Sequence, residues 1–450
     1  MKKVCIANRG EIARRIIRTC KQMGIATVAV YSDADQEALF VKEADEAIRI
    51  GPPPVPQSYL NMEAVLKAAR EAGADAIHPG YGLLSENSEF AKRCEQEGLL
   101  FIGPSTSVIE QMGDKVKARQ LMRSAGVPVV PGIEDHLETA EDAVRLAASI
   151  GYPLMLKASA GGGGIGMQVC HSDDEMRQAF LSAKGRAKAY FGNDTMFLER
   201  YIEQPHHIEV QIVADQKGTT LHLLERECSI QRRHQKVVEE SPSPFLDEKT
   251  RASVCAMAIT AAEAVGYTGA GTVEFIMDGD RNFYFLEMNT RLQVEHPVTE
   301  EMIGIDLVEW QLRIARGEAL SFTQEEVKAK RHAIELRIYA EDPVTFFPSP
   351  GTITVYGVPQ MESVRIDDAV EAGTIVTPFY DPMIAKLIVS GETREQAVFL
   401  AQQAVENYKI EGLKTNLPFL QDVLAQPAFR KGCYDTHFIQ QMRENLKECK

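Results

Sequence analysis

The sequence lacks the features that mark several large classes of protein. Its eight cysteines lie far apart and none forms a CxxC pair, so neither a zinc site nor a redox motif is indicated, and we expect reduced cysteines in a cytoplasmic protein. No window approaches the roughly 18 apolar residues of a membrane span, and the apolar run in MKKVCIANRGE is too short for a secretory signal. The net charge of −15 argues against general nucleic-acid binding.

The chain has instead the composition of a globular protein, with 44% hydrophobic and 25% charged residues. Its length of 450 residues predicts about two to four domains. The opening segment reads as strand, helix and strand: KKVCIA, then Arg9 to Met23, then ATVAVYS. The dinucleotide-binding glycine pattern is absent after the first strand, so a nicotinamide site is not indicated. Further alternation of strands and helices predicts a doubly wound N-terminal domain that ends near residue 112.

Further regions follow this domain. The segment GVPVVPG (126–132) has the proline and glycine content of a connection, and the helix, strand, glycine loop and helix after it predict a compact subdomain. Strand patterns return from 206 to about 238 and from 271 to 287, and the last segment is rich in short strands and turns. The sequence thus predicts a strand-rich part that follows the first domain along the chain.

The stretch YFLEMNTRLQVEHPV (284–298) concentrates polar groups at alternate positions. Alternate side chains of an extended chain share one face. If the whole stretch is a strand, that face carries two carboxylates, two amides and one guanidinium, from Glu287, Asn289, Arg291, Gln293 and Glu295. Such a concentration on one side of one segment predicts a functional site.

The preceding segment GTVEFIMDGDRN predicts a partner strand for this stretch. If residues 279 to 282 form a four-residue loop, Asp278 pairs with Phe283 and Glu274 lies opposite Glu287. Facing carboxylates repel unless a cation lies between them, and Mg²⁺ commonly takes one or two carboxylates together with phosphate oxygens. The alternative is a solvated sheet face, which is the better interpretation for Glu274 alone. The register favours a magnesium–nucleotide site with the ligands Glu274, Glu287 and Asn289.

The segment KASAGGGGIGM (157–167) follows an apolar strand and predicts a phosphate-binding loop. Consecutive glycines let backbone amides approach an anion closely, and Lys157 adds a positive charge beside them. Glycine runs also occur in flexible linkers, but the position between a strand and a helix favours the phosphate loop. Lys115, near a predicted helix start, is a second candidate for phosphate; taken alone it is more typical of a surface lysine.

Two further segments carry candidate ligands. HHIEVQIV (206–213) alternates, so that His207, Glu209 and Gln211 face away from the apolar residues, as in any half-buried strand. QRRHQKVVEE (231–240) brings together basic and amide groups from Gln231, His234 and Lys236. By itself this run is equally typical of an exposed basic segment. Together with His207 and the two lysines named above, it predicts a site that neutralises a polyphosphate.

These motifs resemble the biotin carboxylase component of biotin-dependent carboxylases, an ATP-grasp family. The resemblance rests on KASAGGGGIGM, QRRHQKVVEE, TVEF, FLEMNTRLQVEHPVTE, RIYAEDP and PSPGTI, together with HPGYGLLSEN (78–87) and YDPMIAKLI (380–388), and it runs from residue 2 to the C-terminal region. It implies an α/β chain of three domains: a doubly wound parallel-sheet domain over 1–112, an ATP-grasp domain over 113–325 with a mobile lid at about 130–203, and a C-terminal α+β domain over 326–450. It also implies a homodimer.

The resemblance implies a role for each matching residue. ATP would be bound by Lys115, Lys157, Gly163, Gly164, His207, Gln231 and His234, with Glu199, Arg200, Tyr201 and Ile202 along the adenine pocket. Magnesium or manganese would be held by Glu274, Glu287 and Asn289. Bicarbonate would be bound by Lys236, Arg291, Gln293 and Val294. Glu295 would be the base, and Arg337 would face the ureido oxygen of biotin.

The implied reaction explains the crowded stretch at 284–298. Bicarbonate is a poor electrophile, so ATP must convert it to carboxyphosphate, and metal, phosphate, bicarbonate and base must meet within a few ångströms. The planar fork of Arg291 matches a planar anion in two hydrogen bonds. Arg337 would stabilise the charge that develops on the biotin oxygen. Because the intermediate is unstable in water, the lid has a reason to close.

Two departures from the family pattern and one absence refine these expectations. Ile165 stands where arginine is common and Ala160 where glycine is common, so altered lid behaviour is expected. The biotin attachment signature AMKM is missing; AMAI at 256–259 lacks the lysine. We therefore expect biotin on a separate carrier protein and a separate carboxyltransferase, in a carboxylase of the acetyl-CoA type used in fatty acid synthesis. The alternatives are another ATP-grasp carboxylate–amine ligase and a nucleotide-binding regulatory subunit.

Overall fold

The structure is a computed structural model that describes residues 1–133, 137–158, 167–191 and 194–448. The glycine-rich segment with Gly163, Gly164, Ile165 and Ala160 lies outside these residues, so the predictions made for it stay predictions. No helix within the described ranges combines the length and the apolarity needed to cross a bilayer.

The N-terminal part is built on five parallel strands with helices on both faces. Strands β1 to β5 span Lys3–Ile6, Ala26–Ser32, Glu46–Gly51, Ala76–His78 and Leu100–Phe101. Helices α1 to α5 span Gly10–Gln22, Leu39–Glu43, Met62–Glu71, Ser88–Gln96 and Thr106–Gly113. The strand order is β3-β2-β1-β4-β5, and apolar residues of the strands are buried in two clusters, one on each face. The predicted doubly wound parallel sheet is confirmed.

Local chemistry sets where several of these helices begin. Asn61, Asn87 and Ser105 precede α3, α4 and α5, and each side chain accepts a backbone N–H from the first turn. The next helix, α6 (Lys115–Ser124), begins in the same way, because Asp114 accepts the N–H groups of Val116 and Lys117. This cap places Lys115 at the first position of a helix, as the sequence predicts.

A small antiparallel sheet follows α6. Its elements are β6 (Gly132–Ile133), α7 (Ala140–Ile150), β7 (Leu154–Ala158), β8 (Gln168–Cys170), α8 (Asp173–Phe191) and β9 (Met196–Arg200). The strand order is β6-β9-β7-β8. Residues of both helices and of β7 to β9 form a separate apolar cluster, centred on Leu156, Phe180 and Leu198. This unit lies within the predicted lid.

The strand-rich centre continues with β10 (His206–Ala214), β11 (Thr220–Arg232), β12 (Gln235–Ser241), α9 (Glu248–Ala264), β13 (Gly269–Met277), β14 (Phe283–Asn289), α10 (His296–Ile303) and α11 (Leu307–Ala315). The C-terminal part adds β15 (His332–Tyr339), β16 (Gly351–Thr352), β17 (Val355–Gly357), β18 (Val364–Asp368), β19 (Ile375–Val376), β20 (Met383–Gly391), α12 (Arg394–Glu406), β21 (Lys409–Glu411), α13 (Leu417–Ala425), α14 (Pro427–Lys431) and α15 (Phe438–Glu448).

One eight-stranded sheet joins these two parts. Its order is β14-β13-β10-β11-β12-β15-β20-β18, so that β12 pairs with β15 across the predicted boundary at residue 325. Val238, Ile334 and Leu336 on one face of this junction pack into a core with the C-terminal helices. On the other face, Ala333 and Ile388 contact Val298 of α10. The division into three domains stays a prediction, and the shared sheet fixes the C-terminal part beside the central site.

The structure corrects two details of the predicted β13–β14 hairpin. The four-residue loop is wrong, because Met277, not Asp278, pairs with Phe283. Glu274 nevertheless lies opposite Glu287, since β14 holds one extra residue, Leu286, between the partners of Glu274 and Phe275. This bulge compensates for the shifted turn.

The second correction concerns the end of the polar strand. The prediction that one extended strand carries Glu287 to Glu295 is wrong, because β14 ends at Asn289. The chain then bends at Thr290 and Arg291, and Glu295 is the last residue before α10. Pro297 in the first turn of α10 suits a helix start, since proline has no N–H to leave unsatisfied there.

Candidate active site

A cavity of about 750 Å³ lies between the N-terminal sheet, the small antiparallel sheet and the large sheet. Fourteen of the side chains predicted from the sequence line it: Lys115, Lys157, Glu199, His207, Gln231, His234, Lys236, Glu274, Glu287, Asn289, Arg291, Gln293, Val294 and Arg337. Residues from distant parts of the chain, such as Asn8, Tyr81 and Tyr380, complete the wall. The fold therefore brings together, in one cleft, side chains that lie far apart in the sequence.

The segment after β14 converges on this cleft although it is not a strand. Arg291 donates to Asn289 Oδ1 at 2.9 Å and to Gln293 Oε1 at 3.0 Å. Asn289 and Gln293 each donate from their side-chain nitrogen to Glu274 Oε1, at 2.8 Å in both cases. The bend after β14 therefore replaces strand alternation as the means by which these groups meet.

Glu274, Glu287 and Asn289, the predicted metal ligands, lie on neighbouring strands, and their oxygen atoms are of the kind that fits a magnesium ion. Glu274 and Glu287 are directly opposed across two antiparallel strands, and Asn289 follows on the same strand. Carboxylate and amide oxygens are the ligands that Mg²⁺ prefers. Glu274 is 5% exposed, whereas the side chain of Glu287 is 36% exposed, so the pair joins the interior to the open cleft. Lys115 Nζ lies 3.3 Å from Glu287.

The β11–β12 hairpin presents the basic groups of QRRHQKVVEE to the cleft. Its two loop residues, Arg233 and His234, have φ angles of 49° and 66°, a left-handed region that is uncommon for residues other than glycine, asparagine, aspartate and histidine. Such backbone strain is concentrated at functional sites. His234 lines the cavity, and burial together with the charge of Lys157 lowers its pKa.

His207, on β10, is oriented by its neighbours. Gln231 Nε2 lies 2.8 Å from His207 Nδ1, and the other ring nitrogen lies 2.9 Å from Glu274 Oε2. Because the amide NH₂ of Gln231 donates to Nδ1, a neutral ring carries its proton on the nitrogen near Glu274. His207 is thereby held beside the predicted metal ligand Glu274.

Lys236 is the centre of the charged network. Its Nζ lies 2.6 Å from Glu209, 3.1 Å from Glu274 and 2.7 Å from Glu295. Burial alone would lower the pKa of Lys236, but these three carboxylates outweigh it and raise the pKa well above the usual value. The lysine is therefore a permanent cation at the floor of the cleft.

Glu295 lies between Lys236 and Arg337. It is fully buried, and Arg337 donates to its second oxygen at 3.0 Å. Burial alone would raise the pKa of Glu295, but the charges of Lys236, Arg337 and Arg226 hold it well below the usual range. In this arrangement Glu295 is ionised and strongly paired, and it lies outside the described lining of the cavity, next to the lining residues Lys236 and Arg337.

Arg337 projects from β15 into the cleft and has two anionic partners. Its Nε donates to Glu239 at 2.7 Å, and its terminal nitrogen contacts Glu295. The backbone of the same segment is also fixed, since Asn416 donates to the carbonyl of Arg337 at 2.8 Å. The guanidinium is therefore held in one orientation at the cavity wall.

Lys157 marks the other end of the cleft. It forms an ion pair with Glu199, and Glu199 is also paired with Arg119 of α6. Burial would raise the pKa of Glu199, but these two cations lower it. The ion pairs link β7, β9 and α6.

Not every predicted residue lines the cavity. Tyr201 lies outside its described lining and contacts His437 near the C-terminus at 3.3 Å, and Ile202 and Arg200 also lie outside it. Glu295 is shielded by its two cationic neighbours. Val294 lines the cavity, and its carbonyl accepts from Lys386 Nζ at 2.9 Å.

Sequence reasoning missed three carboxylates that hold the site together. Glu209 is fully buried and bonds both Lys236 and Arg226, although its position on β10 predicted only an ordinary half-buried strand. Glu86, within HPGYGLLSEN, accepts from Arg291 Nε at 2.8 Å. Glu239 accepts from Arg337 and lies within QRRHQKVVEE. All three residues lie within the quoted motifs, which could have drawn attention to them. No local sequence pattern, however, predicts which residues they contact.

Comparison with protein families covers most of the chain. Residues 1–109 match the family described as "Biotin carboxylase, N-terminal domain". Residues 114–323 match "Carbamoyl-phosphate synthase L chain, ATP binding domain", and residues 335–441 match "Biotin carboxylase C-terminal domain". The three matches follow one another along the chain, and together they cover most of its residues.

Individual relatives agree with this. The chain is 59% identical over 438 residues to a biotin carboxylase of Halalkalibacterium halodurans, covering 97% of each chain. It is 58% identical over 439 residues to biotin carboxylase 2 of Bacillus subtilis, covering 98% of this chain and 99% of the relative. The mitochondrial methylcrotonoyl-CoA carboxylase subunit alpha of Oryza sativa is 52% identical over 99% of this chain, which spans 61% of that longer protein.

Solved structures show the same relationship. The biotin carboxylase of Campylobacter jejuni, in a complex with a β,γ-ATP ligand, superposes with a TM-score of 0.96 at 48% identity, covering 98% of each chain. The biotin carboxylase domain dimer of Hydrogenobacter thermophilus 2-oxoglutarate carboxylase, solved with MgADP and bicarbonate, has a TM-score of 0.95 at 48% identity and the same coverage. The chain therefore belongs to the biotin carboxylase family of ligases, whose members carboxylate biotin with ATP and bicarbonate.

Proposed function

We propose that the cleft described above carries out both steps of this carboxylation, the activation of bicarbonate by ATP and the transfer of the carboxyl group to biotin. We also propose that each predicted residue has the role that the family resemblance implies for it. The observation that carries the proposal is the placement of Glu295 within hydrogen-bonding distance of both Lys236 and Arg337. One buried carboxylate thus connects the cation that would hold bicarbonate to the cation that would face biotin.

The phosphates of ATP would lie along the basic side of the cleft. The groups available there are Lys115, Lys157, His207, Gln231 and His234. The pairing of Lys157 with Glu199 beside Phe197 indicates the end at which the adenine ring would lie, and Tyr201, Ile202 and Arg200 would act from behind this wall. Gly163 and Gly164, outside the described residues, would add backbone amides. Mg²⁺ or Mn²⁺ held by Glu274, Glu287 and Asn289 would neutralise phosphate charge.

Bicarbonate would bind between Lys236 and the Arg291–Gln293 pair. Arg291 offers a planar fork, and Gln293 fixes its orientation at 3.0 Å. Val294 would contribute its backbone N–H, since its carbonyl is already bonded to Lys386. The anion would then lie beside Glu295, the group proposed to accept its proton.

The low pKa of Glu295 in the free protein must be reconciled with its proposed role as the base. Its pKa is held down by Lys236 and Arg337. When bicarbonate engages Lys236 and biotin engages Arg337, part of that positive charge is shared with the substrates, so the pKa of Glu295 rises toward the range of a useful base. The base would thus become effective only when both substrates are in place.

Biotin would be presented by a separate carrier protein. The 450 residues contain no AMKM motif, and Arg337, at the cavity wall, is available to stabilise charge on the ureido oxygen. A separate carboxyltransferase would complete the reaction on an acyl-CoA. The acetyl-CoA type, a homodimeric assembly and a cytoplasmic location stay predictions.

Replacement of Arg337 tests the proposal. Arg337→Ala should lower the incorporation of labelled bicarbonate into free biotin by about 100-fold or more, since it removes an oxyanion-stabilising donor. The affinity for ATP, measured by calorimetric titration, should change little because Arg337 lies at the biotin end.

Arg394→Lys is a matched control, because that arginine contacts Glu240 on the opposite face of the sheet. Equal carboxylation by wild type and Arg337→Ala would contradict the assigned role. Bicarbonate-independent formation of an acyl phosphate from another carboxylate would instead favour the alternative ATP-grasp ligase.

A further inference from the structure

Two fully buried carboxylates, Glu239 and Glu335, face each other behind Arg337. They are direct partners across the antiparallel strands β12 and β15, and both have no exposed surface. Strand alternation places Arg337 on the same face as Glu335, and Lys386 is the register partner of Arg337 on β20. Directly opposed like charges on neighbouring strands repel.

The two carboxylates are satisfied unequally. Glu239 accepts from Arg337 through one oxygen, and its other oxygen has no hydrogen-bond partner in the described structure. Neither oxygen of Glu335 has a partner among the described residues. A buried carboxylate without a hydrogen bond or a counter-ion is very unfavourable when it is ionised, so Glu335 is the better place for a proton.

The cationic side chains near the pair already form contacts with other groups. Lys236 contacts Glu209, Glu274 and Glu295, Arg337 contacts Glu239 and Glu295, and Lys386 lies 3.2 Å from Glu11. Further ionisable groups on the elements around the pair include Tyr81, Cys228, His296, Glu300, Arg365 and Asp367.

These surrounding groups do not supply the missing counter-charge. His296 is fully buried and its pKa is lowered well below the usual value by burial and by Lys386, so it adds no positive charge. Arg365 is bonded to Glu300 and Asp367. The acids of this region therefore outnumber the cations that are free to balance them.

We propose that Glu239 and Glu335 share a single proton in the folded protein, with Glu335 as its carrier, so that Glu239 is the ionised residue that positions Arg337. A protonated Glu335 donates to the unpartnered oxygen of Glu239 across the two strands. One extra hydrogen bond then satisfies two orphaned groups at once. The directions of the pKa shifts agree with this. Burial and the charge of Glu295 raise the pKa of Glu239 to about 7, and burial and the charge of Glu239 raise the pKa of Glu335 well above its usual value.

The proton matters because Arg337 needs a fixed partner. If both carboxylates were ionised, Arg337 would be drawn toward two adjacent negative charges behind the cleft and away from Glu295. With one proton on the pair, a single charge on Glu239 fixes the guanidinium through Nε and one terminal nitrogen, and that terminal nitrogen also donates to Glu295. Glu239 and Glu335 are therefore positioning residues. Their effect on biotin rests on the proposed function.

Infrared difference spectroscopy tests the protonation directly. Wild type at pH 7 should show the C=O stretch of a carboxylic acid that is missing from Glu335→Gln. Glu239→Gln should lose the band as well, because Glu335 then ionises to pair with Arg337. The matched control is Glu240→Gln, a buried neighbour on the opposite face whose pKa is lowered to about 2 and which therefore contributes no acid band.

Kinetics give the second readout. Glu335→Gln mimics the protonated residue and should keep carboxylation within about threefold, whereas Glu239→Gln should lower the turnover with biotin by about 10- to 100-fold through misplacement of Arg337. The pH profile separates this from a structural effect: wild type should lose activity as the pair loses its proton at high pH, and Glu335→Gln should not.

Either of two results overturns the inference. One is an acid band that survives in Glu335→Gln or in Glu239→Gln; the other is a constant activity ratio between wild type and Glu335→Gln at every pH. If Glu335→Gln does not fold, Glu239→Gln alone decides. The spectroscopic result is independent of catalysis, so failure of the proposed function would appear as absent biotin carboxylation even with the band in place.

Discussion

Glu239 and Glu240 are neighbours on β12, and both are fully buried, yet their surroundings are opposite. Glu240 faces the C-terminal helices, where His332, Arg394 and Tyr434 all bond it. Glu239 faces the cleft, where it shares one arginine with Glu295 and lies opposite an unpartnered Glu335. The pKa of Glu240 falls to about 2 and that of Glu239 rises to about 7, although burial raises the pKa of both.

The comparison shows how one sheet serves two purposes. On the face toward the C-terminal helices, each oxygen of the carboxylate is matched by donors, so its charge stabilises the fold. On the face toward the cleft, acids outnumber the cations free to balance them, and we propose that substrates, a metal ion and a proton complete the balance. A functional site keeps this imbalance because completing it within the protein would leave no charge for ligands to engage.

The largest effect should come from the cleft face. Glu295→Gln should lower carboxylation of biotin by about 100- to 10,000-fold, because it removes the proposed base. The fold should persist, since Lys236 keeps Glu209 and Glu274 as partners. Steady-state carboxylation together with circular dichroism measures both effects.

A Glu295→Gln variant with near-normal turnover would remove the base from the mechanism. A variant that is inactive only because it is unfolded would show instead that Glu295 belongs with Glu240 among the stabilising acids.

The next effect should come from the opposite face and concern stability. Glu240→Gln should destabilise the protein by roughly 3 kcal/mol, because His332 and Arg394 lose their buried counter-ion. Turnover at a temperature where the variant is folded should stay within about twofold of wild type. Urea unfolding and carboxylation assays on the same sample test the two statements, and a loss of turnover without a loss of stability would contradict them.

The pH dependence should separate the two faces. The pKa of Glu240 is lowered from 4.5 to about 2, so its contribution to stability is present above pH 4.5 and is lost as pH falls toward 2. For Glu239 and Glu335 the folded-state pKa is raised, so folding becomes less favourable as pH rises above 4.5 through the pKa of the pair. The stability difference between wild type and Glu240→Gln should therefore vanish in acid, whereas Glu335→Gln should gain relative to wild type toward pH 7 and above.

How much of the structure can be predicted from the sequence depends on how far apart in the chain the interacting residues lie. The parallel N-terminal sheet follows from local alternation, and Lys115 follows from a helix cap. The sequence predicts that Glu274 lies opposite Glu287, but on the basis of an incorrect turn. The two residues are opposed only because the bulge at Leu286 restores the register. A strand period cannot reveal such a bulge.

The site itself shows the same division. Motifs predicted which residues meet in the cleft, but the geometry that brings Arg291, Gln293 and Glu295 together is a bend and a helix start, not a continued strand. Glu239 and Glu335 could not be recognised as a pair, because their opposition depends on β12 and β15, which are far apart in sequence. Buried polar partners of this kind become visible only when the sheet order is known.

The central claim is that the acids on the cleft face bind ligands, whereas those on the opposite face stabilise the fold. Its most direct test is a titration with Mn²⁺ in the presence of ADP, with binding measured by electron paramagnetic resonance. Wild type and Glu240→Gln should bind the ion equally, and Glu287→Gln should bind it at least about tenfold more weakly, since it replaces a charged carboxylate with a neutral amide at the open end of the site. Equal Mn²⁺ affinity in wild type and Glu287→Gln would contradict the claim.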